Sequence, residues 1–105
     1  MNEAVPPRVA AEIRLILARQ PQVHRAVLFG SRAKGIFREG SDIDLALEGA
    51  ELQSADVATM LGELDDAPIP QKVDLLLKKA ICHEPLLDHI QRVGVVFYER
   101  ETGQA

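Results

Sequence analysis

Two aspartates one residue apart stand inside a run that otherwise reads as a strand, Ser41-Asp42-Ile43-Asp44-Leu45-Ala46-Leu47. Aspartate is a poor strand former, so stability alone does not account for the pair. Residues two apart on a strand share a face, which puts the two carboxylates side by side with their Cα atoms roughly 6.6 Å apart. Ile43, Leu45 and Leu47 then point the other way, into a core. Adjacent carboxylates repel, and one pKa rises unless a cation lies between them. Oxygen-only ligands suit a hard ion such as Mg²⁺, which takes a few carboxylates and fills its shell with substrate phosphates. The competing reading is a half-solvated strand carrying two ordinary exposed aspartates.

Upstream, Gly30-Ser31 follows the apolar run Ala26-Val27-Leu28-Phe29. Glycine lets the backbone come close to a ligand. Ser31 is placed to cap a short helix whose free N–H groups would face an anion. Beside such a turn, Arg32, Lys34 and Arg38 can neutralise a triphosphate, or they can form a solvated basic patch. Lys72 is a weaker candidate of the same kind. Residues 30–35 do not match the Gly-x4-Gly-Lys-Ser/Thr phosphate loop, which counts against ATP hydrolysis.

Taken together, Gly30-Ser31, ten residues, then Asp42-Ile43-Asp44 resembles the signature of the nucleotidyltransferase superfamily that contains polymerase beta. In detail, Gly30-Ser31-Arg32-Ala33-Lys34-Gly35 followed by Gly40-Ser41-Asp42-Ile43-Asp44-Leu45 is similar to the minimal nucleotidyltransferase (MNT) family, over nearly the whole chain. The two-part motif is specific, whereas a lone Asp-x-Asp is weak. The resemblance implies an α/β (α+β) fold, a small mixed sheet of about four strands flanked by helices. It implies that Asp74, isolated in Lys72-Val73-Asp74-Leu75-Leu76-Leu77, is a third metal-binding and catalytic carboxylate beside Asp42 and Asp44. It further implies Mg²⁺, as two ions, and ATP as substrate, its triphosphate lying across Gly30 and Ser31 with Arg32 and Lys34 nearby.

MNT proteins are antitoxins commonly encoded beside a HEPN-domain toxin. The resemblance therefore implies AMP transfer to a tyrosine hydroxyl of that partner. Two other functions remain open. One is an antitoxin that neutralises by occlusion without catalysis. The other is a transferase acting on a small molecule such as an antibiotic. Such enzymes carry an added acceptor-binding region, for which this chain leaves no residues, so the acceptor is expected to come from a second molecule.

Composition narrows the class. With 105 residues, 47% hydrophobic and 27% charged, the chain reads as one globular domain spanning 1–105. A net charge of −4 and 4% aromatic residues count against a dedicated nucleic-acid binder. The single cysteine, Cys82, excludes an internal disulfide, fits a reducing cytoplasm and reads as a buried or inert thiol. The N-terminus lacks the basic start and apolar run of a signal peptide. The apolar stretch 93–98 is too short to cross a bilayer. His24, His83 and His89 have no metal-site spacing and read as surface residues.

The elements that must position these groups follow from periodicity. A helix starting at Pro6-Pro7 buries Val9, Ile13, Ile16 and Leu17 and stops before Pro21. Strands are expected at 25–29, 42–47, 72–77 and, at an edge, 95–98, with one or two helical turns at 31–36. A third helix starts at an N-cap Ser54 and uses Val57, Met60, Leu61 and Leu64. A fourth, near Pro85, buries Leu86, Leu87, Ile90 and Val93, with Gly94 just past its end. Residues 99–105 read as a frayed tail.

Overall fold

The structure is a computed structural model that describes residues 4–100. Helix α1 (Pro7–Ala18) has Pro6 as its N-cap, and the fixed φ of proline suits both positions. Strand β1 (Arg25–Phe29) leads into a single turn, α2 (Ser31–Lys34), and β2 (Ile43–Glu48) follows. Helix α3 (Ser54–Asp66), strand β3 (Val73–Leu77), a 3-10 turn at Lys78–Ala80, helix α4 (Glu84–Val93) and strand β4 (Val95–Glu99) complete the order.

The four strands form one mixed sheet in the order β3-β2-β1-β4. β1 runs antiparallel to both β2 and β4, and β2 runs parallel to β3. This is the small mixed sheet flanked by helices that the resemblance implies, with β4 at an edge as expected.

Strand alternation divides the sheet into two faces. Ile43, Leu45, Leu47, Leu28 and Leu75 point into the main core with Val9, Ile13 and Leu17 of α1 and Met60 and Leu64 of α3. Val27, Phe29 and Ala46 point to the opposite face, where Ile90 of α4 covers them. Burying a side chain the size of Ile90 contributes about 2 kcal/mol. The fit there is close: a Cβ on Gly94 would lie 2.6 Å from Val27 Cγ1. Gly94 is needed for that approach rather than for a left-handed cap, since its φ is −62°.

Several local expectations shift. Gln53, not Ser54, is the N-cap of α3, and its N–H donates to the Asp56 carboxylate at 2.9 Å. Leu61 is exposed, and of the α4 stripe only Ile90 is fully buried, because α4 covers a small patch of the sheet. The expected tail begins later: Glu99 belongs to β4, and Arg100 is anchored. Its guanidinium donates to the carbonyls of Ala18, Gln20 and Val23 at 3.1, 2.9 and 3.0 Å, covering the C-terminal end of α1. Residues 101–105 lie outside the described residues. Among the described residues no helix is long and apolar enough to cross a membrane.

Candidate active site

β2 carries Asp44 at the centre of the arrangement. Its cross-strand neighbours are Phe29 on β1 and Asp74 on β3. The parallel β2–β3 register therefore brings Asp74 beside Asp44, thirty positions apart in the chain. Asp42 lies one step before β2 on the same face and is exposed. The opposite-facing Ile43 and Leu45 are fully buried, which fixes the parity of the strand and hence the side on which the carboxylates emerge.

The carboxylates act on one another. Partial burial pushes Asp44 above its ordinary value of 3.8, and the Asp74 and Asp42 charges push it further, opposed mainly by Lys72. Lys72 Nζ stands 3.8 Å from Asp74 Oδ1. A hard cation fits this donor set chemically, since every nearby acid is a carboxylate and the repulsion at Asp44 is what such an ion relieves. Among the described residues no three acidic, histidine or cysteine side chains yet converge closely enough to hold one ion together.

Gly30 forms the other wall. It sits directly after β1 with φ 79° and ψ −157°, a conformation that side-chain-bearing residues rarely adopt. A Cβ there would lie 2.5 Å from Asp44 Oδ2. The positive φ is what favours glycine, and the turn lies so close to the carboxylate that a Cβ would push Asp44 aside. Gly30, not Ser31, is the N-cap of α2, and Ser31 is its first helical residue. The α2 turn closes through Gly35 at φ 78°. Its first amides have no intrahelical acceptor, as at any helix start.

The basic residues separate. Lys34 and Arg38 are exposed beside the turn. Arg32 points away from it and is 1% exposed. Its guanidinium donates to the carbonyls of Ala4 at 2.8 Å, Ser41 at 3.0 Å, Glu39 at 2.8 Å and Arg38 at 3.3 Å, and stacks over Phe37. Arg32 therefore fastens the loop joining α2 to β2, and with it the spacing between Gly30 and Asp42. No other charged side chain is as buried among the described residues.

One residue at the site was read as surface. His89 of α4 is half-buried, accepts the Gly30 N–H on Nε2 at 3.2 Å, and meets the Phe29 ring edge-on at 6.2 Å. The sequence carried a signal: His89 lies three residues after Leu86 and four before Val93, inside the apolar stripe of α4. His24, His83 and Cys82 are exposed.

Comparison with known proteins bears on the fold. A toxin–antitoxin crystal structure with AMP-PNP superimposes with TM-score 0.70 at 23% identity, over 88% of this chain and 74% of that one. The MntA-HepT toxin–antitoxin gives 0.67 at 21%, over 90% and 74%. A tri-AMPylated Shewanella oneidensis HEPN toxin in complex with MNT antitoxin gives 0.66 at 21%, over 90% and 72%. At these identities the likeness is one of fold. No curated protein matches. Residues 11–103 match the family described as "Polymerase beta, Nucleotidyltransferase". With the whole sheet, the Gly30-Ser31 turn and all three aspartates inside that match, the chain belongs to the polymerase beta nucleotidyltransferase family.

Proposed function

We propose that this protein is a Mg²⁺-dependent protein adenylyltransferase of the MNT type, an antitoxin that moves AMP from ATP onto a tyrosine hydroxyl of a HEPN-domain toxin in the cytoplasm. The observation that carries the reading is the pairing of Asp44 with Asp74 in a parallel register, directly against the positive-φ turn at Gly30. Support for the substrate and partner comes from the neighbouring folds, one bound to AMP-PNP and one holding a tri-AMPylated HEPN toxin.

In this reading the Gly30-Ser31 turn receives the triphosphate through the backbone N–H groups that follow Gly30, whose own N–H is held by His89, and through the Ser31 hydroxyl. Lys34, exposed beside it, adds positive charge. Asp42, Asp44 and Asp74 would hold the metal, which supplies charge neutralisation at the phosphate oxygens and a lowered pKa at the acceptor hydroxyl. Asp74, at the open edge of the carboxylate face, accepts the acceptor's proton. The tyrosine oxygen bonds to the α-phosphorus as the bond to the β-phosphate oxygen breaks, and pyrophosphate leaves. Arg32 contributes indirectly by fixing the loop. The chain's work is position and charge, as is general for this chemistry.

The test is co-expression with a HEPN-domain toxin, followed by intact-mass and tryptic analysis of the toxin. AMP-sized increments on tyrosine are expected, and they should vanish with Asp42→Asn. Neutralisation without increments, equally strong with Asp42→Asn, would establish occlusion instead. Transfer to an aminoglycoside-type small molecule, with none to the toxin, would establish the antibiotic-type reading.

A further inference from the structure

α4 does more than cover the sheet. Its register on β1 is over-determined: Ile90 is 3% exposed against Val27, Phe29 and Ala46, and Gly94 admits no Cβ beside Val27. That seating delivers His89, one residue before Ile90, onto the end of β1. There Nε2 takes the Gly30 N–H at 3.2 Å, a contact spanning 59 positions of sequence. To accept, Nε2 must be unprotonated, so the ring proton is on Nδ1. The Phe29 ring meets the imidazole edge-on at 82°. The residue so held is the one whose positive φ favours glycine and which lies directly against the Asp44 carboxylate. A glycine of this kind has wide conformational freedom when nothing holds it. The hydrogen bond removes part of that freedom at the point where the turn must meet a phosphate.

We propose that His89 is a positioning residue for nucleotide binding, fixing the Gly30-Ser31 turn by accepting the Gly30 N–H. The inference rests on the reading of that turn as the triphosphate site and deepens it. His89 need not touch the nucleotide. Its contribution is to spare the ligand the ordering cost of the turn, the general advantage of a pre-organised site.

The test compares wild type, His89→Leu and His89→Gln as full chains. Leucine keeps apolar bulk against Phe29 but offers no acceptor. Glutamine places an amide oxygen near the former Nε2. Amide exchange of Gly30, read by NMR on the metal-free protein, should accelerate about tenfold in His89→Leu, which corresponds to about 1.4 kcal/mol. It should stay within about threefold of wild type in His89→Gln. Calorimetry with Mg·ATP should show the same order, Kd rising about tenfold for leucine and at most about threefold for glutamine. Unchanged Gly30 exchange and unchanged Kd in His89→Leu would overturn the proposal. So would equal losses in both variants, which would make His89 a packing residue. Wild type without measurable Mg·ATP binding would overturn it as well. Accelerated Gly30 exchange in His89→Leu would then locate the failure in the nucleotide reading rather than in the contact. Should His89→Leu fail to fold, the glutamine arm decides, and a large loss there overturns the proposal.

Discussion

Asp44 concentrates the conflict between stability and chemistry. Burial raises its pKa first, and the charges of Asp74 and Asp42 raise it further. A carboxyl whose folded pKa lies above its unfolded value favours folding when protonated. That contribution is complete below the unfolded value near 3.8 and is lost as pH rises through the folded value. Asparagine suffers no such loss. In EDTA, Asp44→Asn should therefore melt increasingly above wild type as pH rises from below 3.8 through the raised folded value, and hold that margin at higher pH. Thermal scans at several pH values check this. A difference that stays constant with pH, or an Asp44→Asn variant melting below wild type at neutral pH, would make Asp44 a structural residue. Transfer activity should disappear in the same variant whatever its stability, because a carboxylate and an amide differ most as ligands for a hard cation.

At the scale of an element, the loop between α2 and β2 is held from within. Arg32 ties together the carbonyls of Ala4, Arg38, Glu39 and Ser41, of which Arg38 also accepts from the Ser41 N–H and Glu39 from Gln71 Nε2. Hydrogen bonds to a charged donor contribute about 1.5–3 kcal/mol each, and buried orphans cost a similar amount. Arg32→Met should therefore lower unfolding stability by about 3 kcal/mol or more, measured by urea denaturation. Arg32→Lys should restore little of it, since a single ammonium cannot reproduce a planar guanidinium fork. A loss under about 1 kcal/mol would mean the loop holds its shape without the guanidinium. The contrast with Lys34, exposed two residues later, is physical: one basic side chain meets converging carbonyls and the other meets water.

For the molecule as a whole, the site is assembled from three strands and one helix that meet at one end of the sheet. β1 supplies the turn, β2 and β3 the carboxylates, and α4 the histidine. A ligand joining these should stabilise the entire fold, since binding to the native state alone shifts unfolding by mass action. At 100-fold excess over Kd the gain is about 2.7 kcal/mol, or a melting shift of about 10 °C or more for a chain of this size. Mg·ATP should produce that shift, EDTA should reverse it, and Asp44→Asn should not show it. An equal shift with ATP in EDTA would leave the carboxylates without a part in binding the nucleotide.

The amino-acid sequence determined by itself which face of β2 carries Asp42 and Asp44, because strand parity is a property of the local backbone and Ile43, Leu45 and Leu47 demand the core. It also determined the mixed-sheet fold, through a two-part motif whose spacing is local. Only the tertiary structure decided which strand lies beside Asp44. The parallel register that brings up Asp74 is a long-range pairing, and alternation alone specifies a face, not a neighbour. Arg32 was legible as a cation near a phosphate turn but not as a buried one. An interior arginine is favourable only where carbonyls converge on it, here three from residues 38–41 and one from Ala4, and that convergence exists only once the loop has folded back. His89 was missed for the same reason. Its place in the α4 stripe indicates partial burial, while its partner is an amide 59 positions away that becomes an available donor only once α4 has docked on β1.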